Sequence, residues 1–239
     1  MSSEREVALF MAQIYDQTDR HEDMIETMKK VIHLDSNLNT DERNLLSVAY
    51  KNIVGSRRNS IRMMTAIIEH EESRGNTNRV EQLNQYKSAI LVELEKYCND
   101  LIGLVDTQLL PAAKESEARV FYEKLKADYY RYICESKPEE EKIEPQNKAK
   151  ECYEDALEIT KNELNPCCPT SLGLVLNYSV FLYEIIGKKQ EAIELAKKTY
   201  NECSNGIDEL TDEQYSEATM ILQLLRDNVS LWTQDAEQG

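Results

Sequence analysis

Apolar residues recur at helical spacing along almost the whole chain, and this periodicity excludes most folds. Val7, Phe10, Met11 and Ile14 open the pattern, and Met24, Ile25, Met28, Val31 and Ile32 continue it. Spacings of three and four place such residues on one face of an α-helix. No sustained alternation of period two and no strand-like β-branched run interrupts them. All five prolines fall at boundaries between the runs, where a residue without an amide proton costs a helix least. The first run ends at Thr18 or Asp19. Asn37 to Asp41 is a polar break, with Thr40 placed to cap a long third helix that reaches about Ser73. Gly75, Asn76 and Thr77 then break the pattern. Further helices are expected at about Asn78–Leu110, Ser116–Ser136, Gln146–Leu164, Leu172–Ile186, Gln190–Cys203 and Thr211–Trp232. The reading is all-α: about nine antiparallel helices with short connections.

The charge narrows the partners. A formal −16 repels phosphate backbones and anionic membrane surfaces, so neither nucleic acid nor membrane is an expected partner. No stretch has the length of a signal peptide or membrane span, which points to a soluble protein, cytoplasmic or also nuclear. The cysteines are Cys98, Cys134, Cys152, Cys167, Cys168 and Cys203, with no C-x-x-C spacing, and the histidines lie far from most of them. No zinc site or other metal, and no cofactor, is therefore expected. Adjacent Cys167 and Cys168 sit in a loop between Pro166 and Pro169. Reduced thiols are the expectation, with a redox role for that pair as the sharper alternative.

Against this acidic background one segment, RNLLSVAYKNIVGSRRNSIR from Arg43 to Arg62, gathers cations. Lys51, Gly55, Arg58 and Arg62 share one helical face. Gly55 costs the helix about 1 kcal/mol relative to alanine and leaves no side chain between two cations, so an anion could come close. Three further groupings stand out. Lys124, Asp128 and Arg131 lie on one face at i, i+4 and i+7, with the phenol of Tyr132 beside them. Asn177 stands among apolar neighbours, between Leu176 and Val180 and ahead of Glu184. Met220, Ile221, Leu224, Leu231 and Trp232 form an apolar stripe interrupted only by Asn228. Asparagine is a poor helix former, and its side chain carries both a donor and an acceptor suited to a partner's backbone.

These segments resemble the 14-3-3 phosphopeptide-binding adaptors. The first cationic segment and the final ILQLLRDNVSLWT are similar to that family's two signature segments, and FYEKLKADYYRYICE and LGLVLNYSVFLYEI to intermediate ones, in the same order. The likeness runs from about Glu4 to Trp232. It implies a single helical domain over 1–232, with about 1–110 forming the dimer contact and groove floor, about 111–232 forming the groove wall, and a short flexible tail at 233–239. It also implies phosphate binding by Lys51, Arg58, Arg131 and Tyr132, and ligand-backbone binding by Asn177 and Asn228. Leu176, Val180, Glu184, Met220, Ile221, Leu224, Leu231 and Trp232 would line the groove, with Lys124 and Asp128 supporting it. The implied partners are phosphorylated client proteins or peptides and a second copy of the chain or a paralogue.

The implied dimer contact takes in Ile14, Arg20, Asp23, Met64, Ile67, Tyr86 and Glu93. Arg20 and Glu93 match one of the family's inter-protomer ion pairs. Asp23 is present for the second, but Ala89 stands where its lysine usually sits. Ile61 stands where the family usually has tryptophan. Ser60 follows Arg57-Arg58-Asn59, a basophilic-kinase pattern, and matches a dimer-disrupting phosphosite of the family. An enzyme is not expected. The alternative is a phosphorylation-independent helical scaffold of tetratricopeptide type, suggested by Tyr153, Ala156, Ala192, Ala196 and Tyr200, although no unit recurs at that family's period.

Overall fold

The structure is a computed structural model that describes residues 3–204, 206–207 and 210–238, with side chains to residue 235. Among the described residues there are nine long helices and no strand. They are α1 (Glu4–Gln17), α2 (His21–Leu34), α3 (Thr40–Ser73), α4 (Thr77–Leu104), α5 (Ser116–Ser136), α6 (Ile143–Glu163), α7 (Pro169–Phe181), α8 (Lys189–Cys203) and α9 (Asp212–Gln238). The chain divides into two compact units, Met1–Ala113 and Lys114–Gly239.

In the first unit, α2 buries Met24, Ile25, Met28, Val31 and Ile32, the stripe legible in the sequence. On α3, Leu46, Ala49, Tyr50, Ile53 and Val54 are buried, and on α4 Leu94, Cys98 and Leu101. Polar ties cross between these helices. Arg5 on α1 grips Glu42 on α3, its two terminal guanidinium nitrogens each donating to one carboxylate oxygen. Asp100 on α4 accepts from the Tyr50 hydroxyl at 2.6 Å and pairs with Lys29 at 2.7 Å. Such pairing offsets the cost of bringing polar groups out of water. The cap of α3 differs from expectation by one residue. Asn39, not Thr40, caps the helix, and Glu42 returns a bond to the Asn39 amide, completing a capping box.

The second unit is built around small residues. Ala127, Ala149, Ala156, Ala192, Ala196 and Ala218 are fully buried, so their helices can approach closely around Tyr153, Phe181, Leu222 and Leu225. The alanines that gave a tetratricopeptide flavour are thus core contacts. Two five-residue π turns, Val105–Leu109 after α4 and Leu182–Ile186 after α7, carry hydrogen bonds one residue wider than the α pattern. The first leads into a short turn, Leu110–Ala112, which contains Pro111. The second closes on Gly187, at φ 76°, with the Lys188 amide donating to the Leu182 carbonyl at 2.9 Å. A left-handed residue at this position favours glycine.

Two expectations are corrected. The cysteines are not all reduced thiols: Cys167 and Cys203 form a disulfide with Cα atoms 5.3 Å apart, while Cys98, Cys134, Cys152 and Cys168 lie outside any disulfide. The partners lie 36 residues apart, Cys167 in the turn before α7 and Cys203 at the end of α8, so no local spacing announces them. The last helix does not stop at Trp232 but runs to Gln238. Thr-Gln-Asp-Ala-Glu-Gln holds no helix breaker, so the local sequence gives the helix no reason to stop there. Gly239, the last residue of the expected tail, lies outside the described residues.

Candidate functional site

In the first unit, α3 is continuous through the cationic segment, so Lys51, Gly55, Arg58 and Arg62 do share a face. Lys51 is exposed and Arg58 half-buried. A Cβ at Gly55 would meet nothing within 4 Å, so the space beside the two cations is open. Arg57 is engaged elsewhere. It reaches Glu93 at 3.2 Å and Glu22 at 3.3 Å, and its guanidinium lies 5.4 Å from the centre of the Tyr97 ring.

In the second unit, α5 presents Lys124, Asp128, Arg131 and Tyr132. Asp128 is the hub. It takes a bond from Lys124 Nζ at 2.9 Å, from the Tyr153 hydroxyl at 2.5 Å, and from Asn177 Nδ2 at 2.9 and 2.8 Å to its two oxygens. Burial opposes its ionisation, but the charges of Lys124 and Arg131 and the Tyr153 bond outweigh that and hold its carboxyl below the usual range. Burial works against the charge of Arg131 too, and Tyr153 and Asp128 overcome it, raising its pKa. Arg131 is buried, yet its ion pairs to Asp128 and Glu135 are both 3.6 Å long, and its Nε meets no acceptor. Its forked donors are therefore not saturated. Its guanidinium lies 4.8 Å from the centre of the Tyr132 ring.

Asn177, the odd polar residue of α7, turns its amide nitrogen to Asp128. A carboxylate can only accept, so the Asn177 carbonyl oxygen is the group left for a partner. Leu176 and Val180 flank it, half-buried, and Glu184 is exposed in the π turn after α7. Gly173 sits between Lys124 Cε and Ile221 Cδ1, at 3.8 and 4.0 Å from where its Cβ would stand, which brings α5, α7 and α9 together. Along α9, Met220 (61% exposed), Leu224 and Leu231 form an open apolar face, with Ile221 and Asn228 half-buried beside it. Trp232 is placed differently from its neighbours. It is 4% exposed and stacks on Tyr183 at 4.5 Å, inside the core of this unit.

The residues expected at a dimer contact also divide. Ile67 and Tyr86 (60% exposed) are open to solvent, as are Val7 and Phe10, whereas Met64 is buried in its own unit and its neighbour Met63 is 66% exposed. Arg20 pairs with Asp23 on its own helix, and Glu93 with Arg57, so both acids have partners within the chain. Ser60 is half-buried on α3. Tyr153 stands in the sequence only as part of the tetratricopeptide flavour, not as a site residue. The available signal was a tyrosine on the apolar face of a helix, because such a hydroxyl needs a partner once buried.

Among the described residues no group of three or more His, Cys, Asp or Glu is arranged to hold a metal ion, and no helix is long and apolar enough to cross a membrane. Burial pushes the Cys134 thiol up to about 12, the opposite of what a reactive thiol needs.

Among the described residues, a buried arginine whose Nε meets no acceptor, a half-buried asparagine and an open apolar strip, all carried on helices, are features suited to a peptide-binding adaptor. Residues 11–233 match the family model described as 14-3-3 protein, and the chain belongs to the 14-3-3 family, whose members are adaptors rather than enzymes. It is 45% identical to 14-3-3-like protein GF14 iota of Arabidopsis thaliana, over 97% of this chain and 87% of the relative. It is 45% identical to checkpoint signal transducer rad25 of Schizosaccharomyces pombe, over 99% and 88%. To 14-3-3 protein 3 of Entamoeba histolytica it is 42% identical, over 98% of each chain. A tetratricopeptide-type scaffold is not favoured by these likenesses.

Proposed function

We propose that this adaptor binds client segments carrying phosphoserine or phosphothreonine, with Lys51, Arg58, Arg131 and Tyr132 on the phosphate and Asn177 and Asn228 on the client's backbone. The observation that carries the reading is Arg131, a buried guanidinium whose donors are not filled by the protein's own acids. A phosphate brings close to two negative charges and three acceptor oxygens, which suits forked guanidinium donors far better than a neutral hydroxyl does. The apolar residues of α7 and α9 then hold side chains of the client, while amide contacts to its main chain leave the client's sequence largely free. Binding would regulate the client's activity, location or interactions, in the cytoplasm or nucleus. The exposed Ile67 and Tyr86 of α3 and α4 support pairing of two copies, or of one copy with a paralogue. Phosphorylation of Ser60 would place close to two negative charges on α3 and oppose that pairing.

A fluorescence-anisotropy titration with a phosphoserine peptide and its unphosphorylated twin tests the reading. The phosphorylated peptide is expected to bind at least about 100-fold more tightly. Lys51→Glu is expected to abolish binding while leaving the circular dichroism spectrum unchanged. Equal binding of both peptides, or undiminished binding by Lys51→Glu, overturns the proposal.

A further inference from the structure

We infer that Tyr153 is a positioning residue for the client-reading amide of Asn177, acting through Asp128; this rests on the phosphopeptide reading above. Tyr153 is fully buried on α6, and its ring is held by Tyr178 at 5.2 Å and Phe181 at 5.4 Å between centroids. Its hydroxyl therefore has a fixed direction, and it donates to Asp128 Oδ1 at 2.5 Å.

That bond matters because Asp128 is contested. Lys124 draws on Oδ2 at 2.9 Å, and Arg131 stands 3.6 Å from Oδ1. Asn177 needs both oxygens at once, at 2.9 and 2.8 Å. This bridging arrangement holds only while the carboxylate plane faces α7. The tyrosine hydroxyl fixes that plane from the side of α6. Without it, the carboxylate is free to turn toward the nearer approach of Arg131, and Asn177 loses one of its two acceptors. Its amide could then rotate, and a flipped amide would present a donor where the ligand's main-chain N–H needs an acceptor. Tyr153 touches no ligand in this account. It governs which end of the Asn177 amide the ligand meets.

The test uses the full chain and the same phosphoserine peptide. Tyr153→Phe keeps the ring and removes only the hydroxyl. Its affinity for the peptide is expected to fall about five- to tenfold, the scale of one ordinary hydrogen bond, since the effect on the ligand is indirect. In an Asn177→Ala background the same substitution is expected to change affinity less than about twofold, because coupled residues are non-additive. A full-sized loss in both backgrounds, or none in either, overturns the inference. A second measurement needs no variant at position 153. The side-chain amide resonance of Asn177, assigned by its disappearance in Asn177→Ala, is expected to exchange with solvent far more slowly than an exposed asparagine amide. Exchange at the exposed rate in the wild-type protein overturns the inference even if Tyr153→Phe fails to fold. A wild-type protein that ignores the phosphorylated peptide would instead remove the functional reading, and the amide measurement would still decide the geometry.

Discussion

Asp128 is ionised in surroundings that, by burial alone, would keep it neutral. Four neighbouring groups on three helices make the difference, and the arrangement has a pH signature. The folded-state pKa lies below the unfolded one, so the carboxylate contributes stability that is present above about pH 4 and lost as pH falls through the folded value. Glu42 behaves alike, because the Arg5 hydrogen bonds hold its carboxyl below the usual range. Urea midpoints measured from pH 7 to pH 3 should therefore fall mainly below pH 4, and Asp128→Ala should flatten that fall. The same variant should lose about 3–5 kcal/mol at pH 7, because Arg131 and Lys124 would be left without their shared anion. At this scale the sequence was partly legible. Asn177 was visible as a polar exception in an apolar helix, and Lys124, Asp128 and Arg131 as one face. The bonds joining them were not, because Tyr153 and Asn177 reach Asp128 from helices whose packing no local pattern encodes.

At the scale of elements, the sequence was legible wherever a boundary has a chemical cause. Ser116–Ser136 comes out as read, and the glycine after the seventh helix is the left-handed residue its position demands. The cap of α3 was misread because Thr40 and Asn39 are both capping residues, and only the reach of Glu42 back to the Asn39 amide decides between them. The Cys167–Cys203 bridge was not legible at all. It ties the residues just before α7 to the end of α8 and closes a loop of 36-residue separation. On loop entropy alone such a closure stabilises by about 4 kcal/mol. Alkylation of the unreduced, unfolded chain should therefore label four cysteines, and labelling after reduction should reach six. Cys203→Ser should unfold at markedly lower urea. Six labelled cysteines without reductant would refute the bridge.

For the whole molecule, the periodic apolar pattern was enough to fix the class of fold, and the four quoted segments enough to indicate the family. The proposed pairing of copies is less legible, because it would turn on which apolar residues stay uncovered. Ile67 and Tyr86 do and Met64 does not, although all three lie on apolar helical stripes. The acids expected to bridge two protomers are already paired within one, so exposed apolar area should carry the association. Sedimentation equilibrium is expected to show a dimer at micromolar concentration that tolerates about 0.5 M salt, where charge interactions are screened. Tyr86→Glu should weaken it at least about tenfold. A dimer that dissociates on adding salt would show that ion pairs dominate instead.

The π turn at Leu182–Ile186 gives this part of the chain an unequal tolerance to mutation. Such a turn accommodates one residue more than the surrounding α-helix would. Replacing a residue there changes a side chain. Deleting one removes the extra residue and returns the segment to the α pattern, so later positions keep close to their phase about the axis. Gly187 would then still stand where its left-handed backbone is needed. A single-residue deletion here should therefore lower the thermal midpoint less than one in the middle of α7, which turns every later position by about 100°.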